Sequence, residues 1–156
     1  MTKLSHLFVL LCLALTVLHP VVSSGQQHVS QFNLKNGVAI DGYDPVAYFT
    51  LHKAVEGKKE WAYQHEGVTY YFSIEANRKA FAASPSAYEP QYGGWCAYAM
   101  GATGQKVEID PETFKISDGK LYLFYNQLFN NTLPKWNKEE AVLRLKADRN
   151  WKTFVH

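Results

Sequence analysis

The sequence is poor in cysteine, in runs of like charge and in long apolar stretches, and each shortage closes off a class of protein. Two cysteines in 156 residues exclude a disulfide-framed mini-domain. No Lys/Arg run exceeds two residues and the formal net charge is +2, so neither nucleic acid nor an anionic membrane finds an electrostatic footprint. There is no C-x-x-C, no paired histidine spacing, no G-x-S-x-G, no H-E-x-x-H, no P-loop and no dinucleotide fingerprint. A familiar hydrolase is thereby disfavoured, though not every enzyme. The longest apolar run, Leu7–Leu18, is twelve residues, short of the roughly 20 that span a bilayer. Aromatic residues, by contrast, are abundant at 15% of the chain.

That apolar run follows Lys3 and precedes His19-Pro20 and the small residues Val22-Ser23-Ser24-Gly25. A cationic start, an apolar middle and a small-residue end make a secretory signal peptide over residues 1–25. Its removal after Ser24 or Gly25 leaves an exported protein, periplasmic or extracellular, with no membrane attachment. The mature chain then keeps a net charge of +1 and a single thiol, Cys96. With no internal disulfide available, stability must come from the core. The single sequon, Asn130-Asn131-Thr132, matters only where the source glycosylates secreted proteins.

Gln26–Asn36 is polar and reads as a flexible lead-in to a domain over residues 37–156. Asp44-Pro45 predicts a cap and first residue of a short helix ending at Phe49. Trp61–Phe72 reads as a hairpin turning at Glu66-Gly67. A two-residue turn would place Trp61, Tyr63, His65, Val68, Tyr70 and Phe72 on one face, and a three-residue loop would move that set. Ser73 is then placed to cap a helix over Glu75–Ala82, and Ser84-Pro85 to restart a helical turn. Asp118-Gly119 marks a second hairpin, pairing Ile116 with Leu121 and Phe114 with Leu123. Trp136, Leu143, Ala147, Trp151 and Phe154 form one stripe of a helix over Asn137–Phe154. No repeat or linker divides the domain. The expected class is α+β, two antiparallel hairpins with several short helices and a longer amphipathic C-terminal one.

The segment Tyr88–Gly101 concentrates the unusual chemistry: the mature cysteine, four large aromatics and three glycines in fourteen residues. Gly94 and Gly101 suggest the two ends of a helix over Trp95–Met100. Cys96 in its first turn would have its thiolate favoured by free amides, whereas the bland alternative is a buried apolar filler. His65 is a candidate partner, as base or metal ligand, set against an ordinary hairpin histidine. One thiolate with one or two imidazoles could hold Cu(I) or Zn(II), but the spacing motif for such a site is missing. Tyr43, Tyr92, Gly93, Gly94 and Trp95 suggest an aromatic pocket beside Cys96. Asp44 would be either a polar lip of that pocket or only a helix cap.

Several blocks are similar to the exported branch of the YHS-domain family. They are Gly42-Tyr43-Asp44-Pro45-Val46-Ala47-Tyr48-Phe49, Gly67-Val68-Thr69-Tyr70-Tyr71-Phe72-Ser73 and Pro90-Gln91-Tyr92-Gly93-Gly94-Trp95-Cys96-Ala97. Asp118-Gly119-Lys120-Leu121-Tyr122-Leu123 and Ala147-Asp148-Arg149-Asn150-Trp151 continue the likeness over nearly the whole mature chain. The resemblance implies a small α+β domain and, from cysteine-bearing modules of copper-transporting ATPases in the wider group, metal binding. The junction here reads Tyr71-Phe72-Ser73, without the Cys that metal-binding relatives carry. Three functional readings follow. The first is a non-catalytic module binding a small molecule or a metal ion near Cys96. The second is a redox protein using Cys96 with an external thiol, and the third is a structural or interaction domain whose aromatics are all core.

Overall fold

The computed structural model describes residues 29–155, so the expected leader and the first residues after it lie outside the described residues. The architecture is α+β, with three small sheets and five short to medium α-helices among the described residues. The main sheet has the order β1-β2-β4-β3, from β1 (Leu34–Lys35), β2 (Val38–Ala39), β3 (Lys58–His65) and β4 (Val68–Phe72). Its β2–β4 pairing is parallel and the others antiparallel. β5 (Asp110–Ser117) pairs with β6 (Lys120–Phe124), and the two-residue strands β7 (Asn126–Gln127) and β8 (Asn130–Asn131) pair beside them. The helices are α1 (Ala47–Thr50), α2 (Glu75–Ala83), α3 (Ala97–Ala102), α4 (Leu133–Lys138) and α5 (Glu140–Lys152). Among the described residues no helix is long and apolar enough to cross a membrane.

Both hairpins close with two-residue turns. His65 pairs with Val68 across Glu66 (φ 46°) and Gly67 (φ 86°). Left-handed backbone at Glu66 costs roughly 1–2 kcal/mol. Full burial of Val68, Tyr70 and Phe72 on the face this register creates outweighs that cost. The second hairpin pairs Ile116 with Leu121 and Phe114 with Leu123 across Asp118-Gly119, as its turn residues predict.

β6 does more than its hairpin pattern suggests. Leu121 and Leu123 enter one core with Val68, Tyr70, Phe72, Phe81 and Cys96. Tyr122 and Phe124 enter a second with Tyr92, Met100, Trp136, Leu143 and Ala147. The strand is therefore buried on both faces and forms the wall between two apolar clusters.

Local expectations fail where a distant partner competes. The C-terminal stripe is carried by two helices, broken at Glu139 (φ −138°, ψ 30°), and the second ends at Lys152. Glu140 opens α5 bound to Lys115 of β5. Burial disfavours its charge, but hydrogen bonds from Lys115 and Ser117 outweigh burial and hold the carboxyl below its usual range. Ser73 does not cap α2. Its hydroxyl donates to Asp44, whose carboxylate is the hub of the first core. Asp44 Oδ1 accepts the Val46 and Ala47 amides at 2.9 and 3.3 Å, in the manner of a cap. Oδ2 accepts the Ser73 amide (2.8 Å), the Ser73 hydroxyl (2.6 Å) and the Asn77 side-chain amide (2.7 Å). Thus the start of α1 is tied to α2 through one buried carboxylate.

The helix expected over Trp95–Met100 also shifts. The Cys96 amide donates to Val107 O, so the helix begins at Ala97, and Gly104 (φ 71°) rather than Gly101 follows its end. Gly101 lies inside α3 against α5. A Cβ there would stand 2.5 Å from the Leu143 carbonyl oxygen, closer than such atoms approach.

Candidate functional site

The segment from Gln91 to Gly94 forms a 3-10 turn containing three successive left-handed residues: Tyr92 (φ 56°), Gly93 (φ 60°) and Gly94 (φ 84°). Two glycines make such a run attainable, while Tyr92 carries the strain of a bulky residue with positive φ. What fixes Tyr92 is its surroundings. Its ring is buried against Tyr122 and Trp151, and its hydroxyl donates to Asp148 of α5 at 2.9 Å. Gly93 meets the segment at Gln31 and Phe32. A Cβ on it would lie 2.9 Å from both Gln31 O and the Trp151 ring.

The supposed lead-in is accordingly packed from residue 29 onward. The Asn33 amide donates to Gly93 O at 2.8 Å, the Asn33 side chain to Gly94 O at 3.3 Å, and the Trp95 indole N–H to Gln31 O at 2.7 Å. Lys106 completes the clamp. Its ammonium donates to Gln31 Oε1 and lies over the rings of Trp95, Trp151 and Phe154, at 4.7 Å from the centroid of the last. Partial burial lowers its pKa below the ordinary lysine value.

Beside this clamp opens a groove of about 740 Å³, within the range of small-molecule sites. Phe32, Pro90, Tyr92, Gly93 and Trp151 give it apolar walls. Glu89, Asp148, Lys120 and Lys152 supply charge. Each carboxylate accepts a hydrogen bond from a buried phenol: Tyr70 donates to Glu89 at 2.9 Å, as Tyr92 does to Asp148. Burial, together with those carboxylates, pushes both phenols far above the usual tyrosine pKa, so they stay protonated donors.

The expected site residues are thus dispersed. Tyr92 and Gly93 line this groove. Trp95 and Gly94 hold the strap that borders it, through Gln31 and Asn33. Tyr43 lines a different cavity of about 550 Å³, with Asp41, Gly42, Glu56 and Tyr71, and Asp44 is buried in its own hydrogen-bond network. Asp41 and Gly42 belong to another left-handed run, Ile40-Asp41-Gly42 (φ 52°, 51° and 90°), so each cavity borders one such turn.

Cys96 is completely buried in the first core. It occupies the cap position of a six-residue helix rather than the helix's first turn. Its sulfur accepts the Tyr125 amide at 3.3 Å and lies 3.5 Å from the Thr132 hydroxyl. His65 stands beside the Glu66-Gly67 turn with its ring against Phe81. His28 and His156 lie outside the described residues. Among the described residues no three His, Cys, Asp or Glu side chains gather to hold a metal ion. A thiol enclosed by a core and already engaged by an amide does not fit as a copper or zinc ligand. In the native protein, Cys96 should alkylate at least 1,000-fold more slowly than in the urea-unfolded chain, as opening of the core must precede reaction. Mass-spectrometric mapping of the labelled Cys96 peptide measures this ratio, and comparable rates would contradict the buried placement.

Sequence pattern alone leaves Glu89 and Asp148 unmarked as site residues and places Trp151 in a packing stripe. The block Ala147-Asp148-Arg149-Asn150-Trp151 carried the available signal, since it holds an acid and an indole three residues apart on a helix. Comparison with models of known families, with curated proteins and with solved structures gives no match.

Proposed function

We propose that the chain is an exported, non-catalytic binding module of the YHS type that holds a small organic molecule in the groove beside Tyr92, Gly93 and Trp151. Export rests on the three-part leader pattern, and the YHS relation on the ordered sequence blocks. The observation that carries the binding reading is a buried, left-handed tyrosine at the wall of a mixed apolar and charged groove. Strained backbone is retained where its surroundings hold it, and such positions cluster at ligand sites. The walls come from three remote parts of the chain: the N-terminal strap, the Glu89–Gly93 turn and the end of α5. Their convergence gives a concave site in which aromatic walls stand beside charged side chains.

The test is a ligand screen on the full chain by two-dimensional NMR, with small organic molecules of each charge type. Binding in the groove should perturb the Trp151 indole and the Gly93 amide first. The variant Trp151→Ala should weaken binding at least tenfold while preserving the dispersed spectrum of the rest of the fold. Perturbations centred on the Tyr43 cavity, or unaffected by Trp151→Ala, would displace the site from the groove.

A further inference from the structure

Four charged side chains line the groove, two acids and two lysines, and none of them is engaged in an ion pair among the described residues. Asp148 and Lys152 are exposed and four residues apart on α5 with the acid first, so each is free to turn to another partner. The carboxylates are instead supported from behind. Tyr70 rises from β4 to Glu89, and Tyr92 crosses from the left-handed turn to Asp148. A phenol donating to a carboxylate orients it yet leaves its negative charge in place. A cationic group arriving in the groove therefore meets two anions already held in place. The lysines give the opposite charge at the same cavity, and Trp151 and Phe32 line it with apolar surface.

Building on the groove reading above, we propose that the molecule bound there is a small zwitterion with an apolar side group. Its ammonium or guanidinium pairs with Glu89 and Asp148. Its carboxylate, or another anionic group, is met by Lys120 and Lys152, and its apolar part lies against Trp151 and Phe32. The balanced charge of the lining selects against ligands carrying only one sign. Such a ligand answers only one pair of the lining charges and forgoes the contacts offered by the other, which is how a site discriminates. A free amino acid of aromatic or large aliphatic type has this chemistry.

Four probes that share a phenyl group and differ in charge test the proposal on the full chain: phenylalanine, phenethylamine, 3-phenylpropionate and 2-phenylethanol, titrated by NMR at the Trp151 indole. Phenylalanine should bind at least tenfold more tightly than either singly charged probe, and 2-phenylethanol most weakly. Glu89→Gln keeps an acceptor for Tyr70 but removes the charge. It should cut the preference for phenylalanine over 3-phenylpropionate at least fivefold and leave 2-phenylethanol unchanged. Lys120→Gln should do the same to the preference over phenethylamine. Equal affinity for all four, with Trp151 perturbed, would overturn the zwitterion and leave the groove standing. Tighter binding of a singly charged probe would do likewise. Failure of every probe to perturb Trp151 at millimolar concentration would overturn both readings.

Discussion

Asp44→Ala should lower the stability of the folded domain by about 4 kcal/mol, seen as a shift of the urea midpoint with an unchanged slope. The carboxylate accepts five hydrogen bonds and is completely buried. Hydrogen bonds to a charged group contribute roughly 1.5–3 kcal/mol each, but they are not additive around one centre. The larger part of the loss comes from what the alanine leaves behind. The part-buried Ser73 amide loses its acceptor and the buried Asn77 side chain keeps only a 3.5 Å contact to the Ser73 hydroxyl, each loss costing about 1–3 kcal/mol. Asp44→Asn should cost less, about 2 kcal/mol, because one amide oxygen survives to serve one side of the hub. A loss below about 1 kcal/mol for Asp44→Ala would show that water replaces the carboxylate, and that the tie between α1 and α2 is dispensable.

Gly101→Ala is the second large effect, and its sign decides between two physical terms. In a helix interior, alanine is favoured over glycine by about 1 kcal/mol, so propensity alone predicts a more stable protein. The position faces the α5 backbone, however, with the added methyl 2.5 Å from Leu143 O, 3.1 Å from its carbonyl carbon and 3.2 Å from its Cα. None of these atoms belongs to a flexible side chain that could swing away. The helices must separate, which loosens Met100, Leu143 and Ala147 in the second core. A net loss of about 3 kcal/mol is expected, near the upper end of ordinary overpacking. Gly119→Ala supplies the contrast. Its φ is 69° but a Cβ there meets nothing within 4 Å, so only backbone strain of about 1 kcal/mol should appear. Thermal unfolding of the two variants beside the parent measures the difference, and a stabilised Gly101→Ala would mean that the helices do not cross so closely.

These two positions also mark how far the sequence can be read. The hairpins are legible because their signals are local: Asp118-Gly119 fixes a register and the alternation of Val68, Tyr70 and Phe72 fixes a face. Asp44 was legible as a cap, since a cap reaches only two or three residues along the chain. Its second half, the grip on Ser73 and Asn77, spans 29 and 33 residues and has no local pattern. Gly101 looked like a helix stop because a glycine near the end of an apolar run usually is one. Only the arrival of Leu143 makes it a contact residue. The break at Glu139 was hidden for the same reason, as Lys115 anchors the next helix from 25 residues away.

The candidate site follows that division. Tyr92 and Gly93 stand out in the sequence because two adjacent glycines beside aromatics are unusual wherever they occur. Asp148 stayed hidden behind the apolar stripe of its helix, 56 residues from the phenol that binds it. Cys96, chemically the most conspicuous residue, has burial and a backbone partner as its structural account. Its rarity in the sequence said nothing of where its sulfur would lie.

The double burial of β6 bears on how the molecule comes apart. A strand that serves as the wall between two apolar clusters cannot be withdrawn from one without exposing the other. Leu121 and Leu123 would enter water together with Tyr122 and Phe124. Neither half can therefore melt as an independent unit, and amide protons of β6 should exchange only through global unfolding. The groove, bordered by Lys120 at one end of this strand, thus adjoins the wall shared by both clusters.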